Sequence, residues 1–156
     1  PNSFDDRLCL VFKDEMGWIT HTWACTTEPG KYWLENPGNV NGTAILVPGQ
    51  YRGVYKIDAH QGRYDALCQR NGTVRTYRDN NKDDVVDLSS DSITEGFYGI
   101  NIHKAGRSST QVDKWSAGCQ VLREEDFEEL MSFCYIARTK WGDSFTYTLI
   151  DEPDFG

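Results

Sequence analysis

The sequence has no apolar run longer than a handful of residues; Ala44-Ile45-Leu46-Val47-Pro48 is typical of the longest. A helix that crosses a bilayer needs about 20, so membrane insertion by a helix is not expected. Positive charge is also scarce: 16 lysines and arginines face 24 aspartates and glutamates, for a net charge of −8. Phosphate backbones and anionic lipid surfaces both select basic proteins, which makes nucleic acid and membrane surfaces poor partners. No Cys-x-x-Cys pair occurs among the five cysteines, Cys9, Cys25, Cys68, Cys119 and Cys134, which argues against a zinc ribbon or a thioredoxin-type site. No internal repeat, low-complexity tract or Pro/Gly/Ser linker divides the chain. Behind Pro1-Asn2-Ser3-Phe4 there is no charged-then-apolar leader pattern, and the cellular compartment is left unassigned.

What is present reads as one domain over residues 1–156, mainly β with one long helix. At this length a chain buries roughly 70% of its extended surface, enough for a core without staples. Aromatics reach 13%, a composition that suits pleated surfaces. Leu8 to Phe12 is a continuous apolar run and predicts a buried strand. Thr43 to Val47 predicts another, closed by Pro48-Gly49, and Val54 to Ala59 a third, ended by a polar turn at His60-Gln61-Gly62. Ala66 to Arg70 and Thr73 to Tyr77 flank Asn71-Gly72, the pattern of a two-residue β-hairpin. Arg78 to Ser92 is polar and acidic. Its Asp79, Asn81, Asp83 and Asp87 are spaced like a calcium loop, but Asp84 stands where that loop needs Gly and Ser90 where it needs Glu, so a solvated turn is expected. Phe97 to His103 returns to strand character. Glu124 to Arg138 carries Phe127, Leu130, Met131 and Cys134 at helical spacing, with acids in its first turn, basic residues near its end and Gly142 as a stop. Ser144 to Ile150 predicts a closing strand.

The chemistry concentrates between Gly99 and Leu122. Along a strand, Ile100 and Ile102 face one way and Asn101 and His103 the other, which places His103 on the opposite, open side. Sixteen residues later the turn Ser116-Ala117-Gly118 delivers Cys119. A nucleophilic thiol needs a base and donors for the oxyanion it creates. His103 supplies the first, and the N–H groups of Gly118 and Cys119 are candidates for the second. His103 would act by ion pairing with the thiolate or by taking its proton during attack, with Lys104 and Lys114 offsetting the negative net charge. His60, in a polar turn, and His21, beside Trp23, are weaker bases. The order His-then-Cys excludes a papain-like arrangement, and the caspase context Gln-Ala-Cys-x-Gly is absent.

His103, a loop, then Ser116-x-Gly118-Cys119 resembles the signature of the L,D-transpeptidases, cysteine enzymes of bacterial peptidoglycan with a β-rich catalytic domain, either a sandwich or a mixed sheet. The resemblance covers about twenty residues. It implies Cys119 as nucleophile and His103 as base, with Ser116 the motif serine and Gly118 beside the oxyanion. Peptidoglycan stem peptides would be the substrate, attacked to give a thioester that passes to water or to an amine, at the cell wall or in the periplasm. No metal and no organic cofactor is called for. Trp115, Asn101 and Lys104 are candidates for the substrate groove. The chain departs from the family at Ala117 (commonly His), Lys104 (commonly Gly) and Val121 (commonly Arg, here nearest at Arg123), which suggests a divergent member of the kind carried by phages or used as an antibacterial effector. Two other functions fit the same residues: a cysteine peptidase or transferase on another substrate, or a non-catalytic wall- or carbohydrate-binding module with the aromatics as stacking platforms. Outside the cytoplasm, some of Cys9, Cys25, Cys68 and Cys134 would pair and leave Cys119 free; otherwise most are small buried hydrophobes.

Overall fold

Apolar alternation and one amphipathic stretch organise the chain into ten strands and two α-helices among residues 2–155, which the computed structural model describes. In order they are β1 (Asp6–Lys13), β2 (Trp18–Thr26), α1 (Lys31–Glu35), β3 (Thr43–Leu46), β4 (Gly49–His60), β5 (Tyr64–Gln69), β6 (Val74–Asp79), β7 (Thr94–Gly96), β8 (Ile102–Lys104), β9 (Gln120–Leu122), α2 (Glu124–Trp141) and β10 (Phe145–Leu149). A curled seven-stranded mixed sheet runs β1-β2-β9-β8-β5-β4-β10, and a three-stranded sheet runs β3-β6-β7. The expected class, mainly β with one long helix, is the observed one. No helix among the described residues is long and apolar enough to cross a membrane.

Helix α2 covers one face of the large sheet. Phe127, Leu130, Met131, Cys134 and Ala137 are buried along its inner stripe, and the first four join Trp23, Cys25, Leu67, Ile102 and Leu122 in the main core. Glu124, Glu125 and Asp126 occupy its first turn and Arg138 and Lys140 its last, so charge of each sign sits where the helix dipole favours it. Gly142 ends it at φ +85, with its N–H bonded to the Arg138 carbonyl.

Three local expectations are corrected. Leu8 to Phe12 is an edge strand: Leu8 and Phe12 are buried but Cys9 and Val11 are exposed, the alternation of a half-buried strand. Its partner β2 carries no continuous apolar run and was not anticipated. Asn71-Gly72 does not close a hairpin, because β5 and β6 belong to different sheets. A two-residue hairpin turn requires positive φ, and neither residue has it. Instead the N–H groups of Arg70 and Asn71 both bond the Val54 carbonyl, at 3.2 and 3.0 Å, and the chain passes from one sheet to the other. The strand expected over residues 97–103 shortens to β8. Upstream of it, the buried Gln69 side chain takes the place of a neighbouring strand. Its Oε1 accepts from the N–H groups of Tyr98 and Ile100, and its Nε2 donates to the carbonyls of Gly72 and Gly96.

The acidic stretch after β6 is irregular apart from one 3-10 turn at Ser90–Ser92, and the Asn81 amide donates to the carboxylates of Asp83 and Asp87. All five cysteines are free thiols. Cys25, Cys68 and Cys134 are buried, and burial pushes the thiols of Cys25 and Cys134 up to about 12. The edges β1 and β10 face a cleft of about 1200 Å³ lined by Leu10, Phe12, Trp18, Trp141, Tyr147 and Leu149 among others, and neither Cys119 nor His103 lines it.

The contrast between inner helix face and open edge sets an expectation for stability. Leu130→Ala should cost about 2–5 kcal/mol, the range for truncating a buried leucine, whereas Val11→Thr should stay within about 0.5 kcal/mol. Urea denaturation of both variants checks this, and a large loss at Val11 would contradict the edge placement.

Candidate active site

β8 and β9 are the one parallel pair in the large sheet, with Ile102 against Gln120 and His103 against Val121. Parallel neighbours need a crossover, which residues 105–119 supply without a helix. It is fastened at several points. The Ala105 N–H bonds the Leu122 carbonyl, the Gly30 N–H bonds the Ser116 carbonyl, and the Trp33 indole N–H bonds the Lys114 carbonyl. Val112 packs beneath it with Phe4, Ala105 and Val121 in a small second core against which Cys119 lies. This core covers the face of the sheet opposite α2.

The turn into β9 is built by Ser116. Its hydroxyl donates to the Cys119 carbonyl at 2.7 Å and accepts the Gly118 N–H at 3.1 Å. Gly118 has φ +117, and a Cβ there would lie 2.2 Å from the Ala44 carbonyl oxygen of β3. Only glycine fits that conformation and that approach. The Gly118 N–H offered by sequence to an oxyanion is therefore engaged by Ser116, which leaves the Cys119 N–H as the donor of this turn.

Cys119 and Asn101 stand opposite one another, one step before the Ile102–Gln120 pair. The Asn101 N–H donates to Cys119 Sγ at 3.4 Å, and the thiol donates to the Gly99 carbonyl at 3.4 Å. Gly99 has φ +68, and Cys119 itself is partly buried. Burial raises the thiol to about 11, against the lowering effect of the Asn101 N–H, with Cys68 adding to the rise.

His103 shares this sheet face but is not open to solvent, contrary to expectation; it is 5% exposed. Burial pushes its imidazole down to about 4; the bond to Lys104 opposes this and His60 adds to it. His103 Nδ1 lies 3.0 Å from the Lys104 carbonyl. A carbonyl only accepts, so Nδ1 carries the proton and Nε2 keeps its lone pair. Thiol and imidazole make no hydrogen bond to each other here; each is held neutral by burial.

The second histidine of the site is His60, which the sequence set aside as a weaker base in a polar turn. His60 ends β4 rather than entering a turn, is buried, and stacks on His103 with ring centroids 4.3 Å apart and planes 20° from parallel. Asn101 fixes it. The Asn101 Oδ1 accepts the Gln69 N–H at 2.9 Å, so its Nδ2 is the atom that donates to His60 Nδ1 at 3.0 Å. His60 Nδ1 is then an acceptor and its Nε2 bears the proton. One residue more of the alternation Lys56, Asp58, His60 would have found it on the His103 face.

Of the groove candidates, Asn101 is a buried bridge with its amide fully engaged. Lys104 projects to the opposite face, where its ammonium is 2.6 Å from Glu124, so it does not offset charge at the thiol. Trp115 is 45% exposed and covers Gly106. Lys114 lies over the Tyr32 ring at 4.1 Å. His21 packs as expected, on Phe133 and Trp23. Among the described residues no cluster of three or more His, Cys, Asp or Glu is placed to hold a metal. Comparison with family models, with curated proteins and with solved structures gives no match for this chain.

Two outcomes follow from this geometry. Gly118→Ala must displace either the turn or β3, and should cost at least about 2 kcal/mol while lowering the alkylation rate of Cys119 in the protein that remains folded. Retained stability and reactivity would show the Ala44 approach to be slack. His103 moves from an ordinary 6.5 down to about 4. Between those values the unfolded chain binds a proton that the folded one refuses. Stability is therefore full above pH 6.5, falls by roughly 3 kcal/mol as the pH drops towards 4, and levels off below. Urea midpoints of the wild type and of His103→Phe at pH 7.5 and pH 4 should differ in slope, and parallel acid losses would show that His103 titrates normally.

Proposed function

We propose that the chain is a cysteine acyl-transfer enzyme of L,D-transpeptidase type that acts on peptidoglycan stem peptides. The observation that carries this reading is a partly buried thiol, Cys119, held by a backbone N–H on the sheet face it shares with a histidine whose Nε2 lone pair is free. The family and the substrate rest on the His103 and Ser116-x-Gly118-Cys119 motif.

In this mechanism the S–H bond of Cys119 breaks and its proton passes to His103 Nε2. The sulfur lone pair forms a bond to the carbonyl carbon of the stem peptide, and the carbonyl electrons move to oxygen, towards the Cys119 N–H. When the C=O bond re-forms, the C–N bond breaks and the leaving amine takes the proton from His103. Water or an incoming amine then attacks the thioester, giving its proton to His103, and the thiolate recovers it. Because burial keeps the resting thiol and imidazole neutral, proton transfer accompanies attack; a standing thiolate–imidazolium pair is disfavoured. Lys104 carbonyl keeps the imidazole in the required tautomer, the role a carboxylate plays in other triads.

Incubation with purified muropeptides followed by mass spectrometry tests the reading. The expected product is a stem peptide shortened by its terminal residue, or exchanged at it. Cys119→Ala should abolish turnover and leave the thermal midpoint within a few degrees, since a half-buried Cys→Ala change costs about 1 kcal/mol or less. Unaltered muropeptides with the wild-type protein, or full turnover by Cys119→Ala, would sink it. Rapid single-site alkylation that depends on His103, without muropeptide turnover, would retain the dyad and move the substrate elsewhere.

A further inference from the structure

The Cys–His reading uses one of the two stacked imidazoles and leaves the other without a task. His60 is a poor candidate for mere filling. A buried imidazole retains two polar nitrogens that need partners, where a leucine or phenylalanine would need none. The fold supplies an unusually specific partner. Asn101 spends both ends of its amide on holding this ring, one towards His60 and the other locked by the Gln69 N–H. The same residue donates its backbone N–H to the Cys119 sulfur. Thiol, Asn101, His60 and His103 thus form one contiguous unit built from β9, β8 and β4, and the ring planes of the two histidines are within 20° of parallel.

We infer that His60 is a positioning residue for His103: clamped by Asn101, its ring stacks on the His103 imidazole and sets the plane in which Nε2 meets the Cys119 proton. This rests on the Cys–His reading given above. The need for such a device follows from how little else holds the ring: among the described residues no carboxylate is bonded to His103, and its one hydrogen bond, from Nδ1 to the Lys104 carbonyl, leaves the ring plane to be fixed by packing. The stack supplies that constraint, since the Asn101 amide holds the His60 ring against the face of His103. The charged and titratable groups around the stack do not substitute for it. Arg63 and Arg70 both bear on His60 and disfavour its protonation. Arg70 is paired with Asp58, Tyr64 stands 5.5 Å from the His60 ring, and Lys104, 5.2 Å over Tyr64, is neutralised by Glu124. Cys68 and Cys119 remain thiols at neutral pH.

Two substitutions separate ring from acceptor. His60→Phe keeps a ring of similar size under His103 and removes the acceptor for Asn101; His60→Gln keeps an acceptor and removes the ring. Cys119 alkylation by iodoacetamide and the NMR titration of the His103 ring are read in each, with His103→Ala as reference. Neither readout requires peptidoglycan. Expected are an alkylation rate at pH 7 at least about tenfold lower in His60→Gln, recovery of more than half of the loss in His60→Phe, and a displaced His103 titration in both. A structural role alone would lower the thermal midpoint and leave the His103 titration and the thiol's reactivity in the folded protein unchanged. If both variants match the wild type in these two readouts while His103→Ala is slow, His60 does not position the base and the inference falls alone. If His103→Ala itself alkylates at the wild-type rate, the dyad falls and the inference with it.

Discussion

One parallel contact inside an otherwise antiparallel sheet governs the rest of this structure. β8 and β9 run side by side in the same direction, so their ends point the same way, and the chain must travel back between them. That return is the crossover 105–119, and its last turn sets the Cys119 thiol against the backbone of residue 101. The close approach of Gly118 to the Ala44 carbonyl ties this turn to the small sheet, and the Gly30–Ser116 bond ties it to the segment after β2. The turn is thereby braced from two sides, by a close backbone approach that requires glycine at 118 and by a backbone hydrogen bond.

The two faces of the large sheet divide the work. On one face α2 supplies most of the apolar burial, and Lys104 goes there with the charged first turn of the helix. On the other, the second core is small, with Cys119 packed against Val121, Val112 and Phe4, and Asn101, His103 and His60 form a polar cluster beside the thiol. Strand alternation makes this partition strict, since moving by one residue changes the face. Lys104 and His103, adjacent in sequence, therefore belong to different environments, and the cation that a net charge of −8 invites near a thiolate is on the wrong side. Positive polarisation at the sulfur comes from the Asn101 N–H instead, a fixed dipole that works in a desolvated setting without the cost of a buried charge.

Where the sequence was legible, one physical signal dominated its neighbourhood. The period of Phe127, Leu130, Met131 and Cys134 marks α2 because a helix presents a single stripe to the core. The alternation around Ile100, Asn101, Ile102 and His103 assigns faces correctly because side chains alternate in any extended chain. Legibility failed where tertiary partners decide. Asn71-Gly72 carries the residues of a tight hairpin, yet the Val54 carbonyl claims the local N–H groups and the two strands part. The exposure of His103 was misjudged because a stacked partner, His60, comes from β4, a distant segment that no local pattern marks. His60 was passed over because Gln61-Gly62 reads as a turn, while the strand's last hydrogen-bonded residue is His60 itself.

The tautomers complete the argument, and they follow from acceptors alone. Lys104 carbonyl can only accept, so His103 offers Nε2 as its free lone pair. The Gln69 N–H can only donate, so Asn101 turns its amide nitrogen to His60, and His60 in turn carries its proton on Nε2. Two backbone groups, one in β8 and one in β5, thus determine the protonation pattern of both imidazoles without any charged side chain. A carboxylate in their place would favour a permanent imidazolium and, through it, a permanent thiolate. Backbone dipoles favour neither. The arrangement holds thiol and imidazole uncharged, and in the proposed mechanism His103 Nε2 is the unoccupied nitrogen on which the thiol's proton would land.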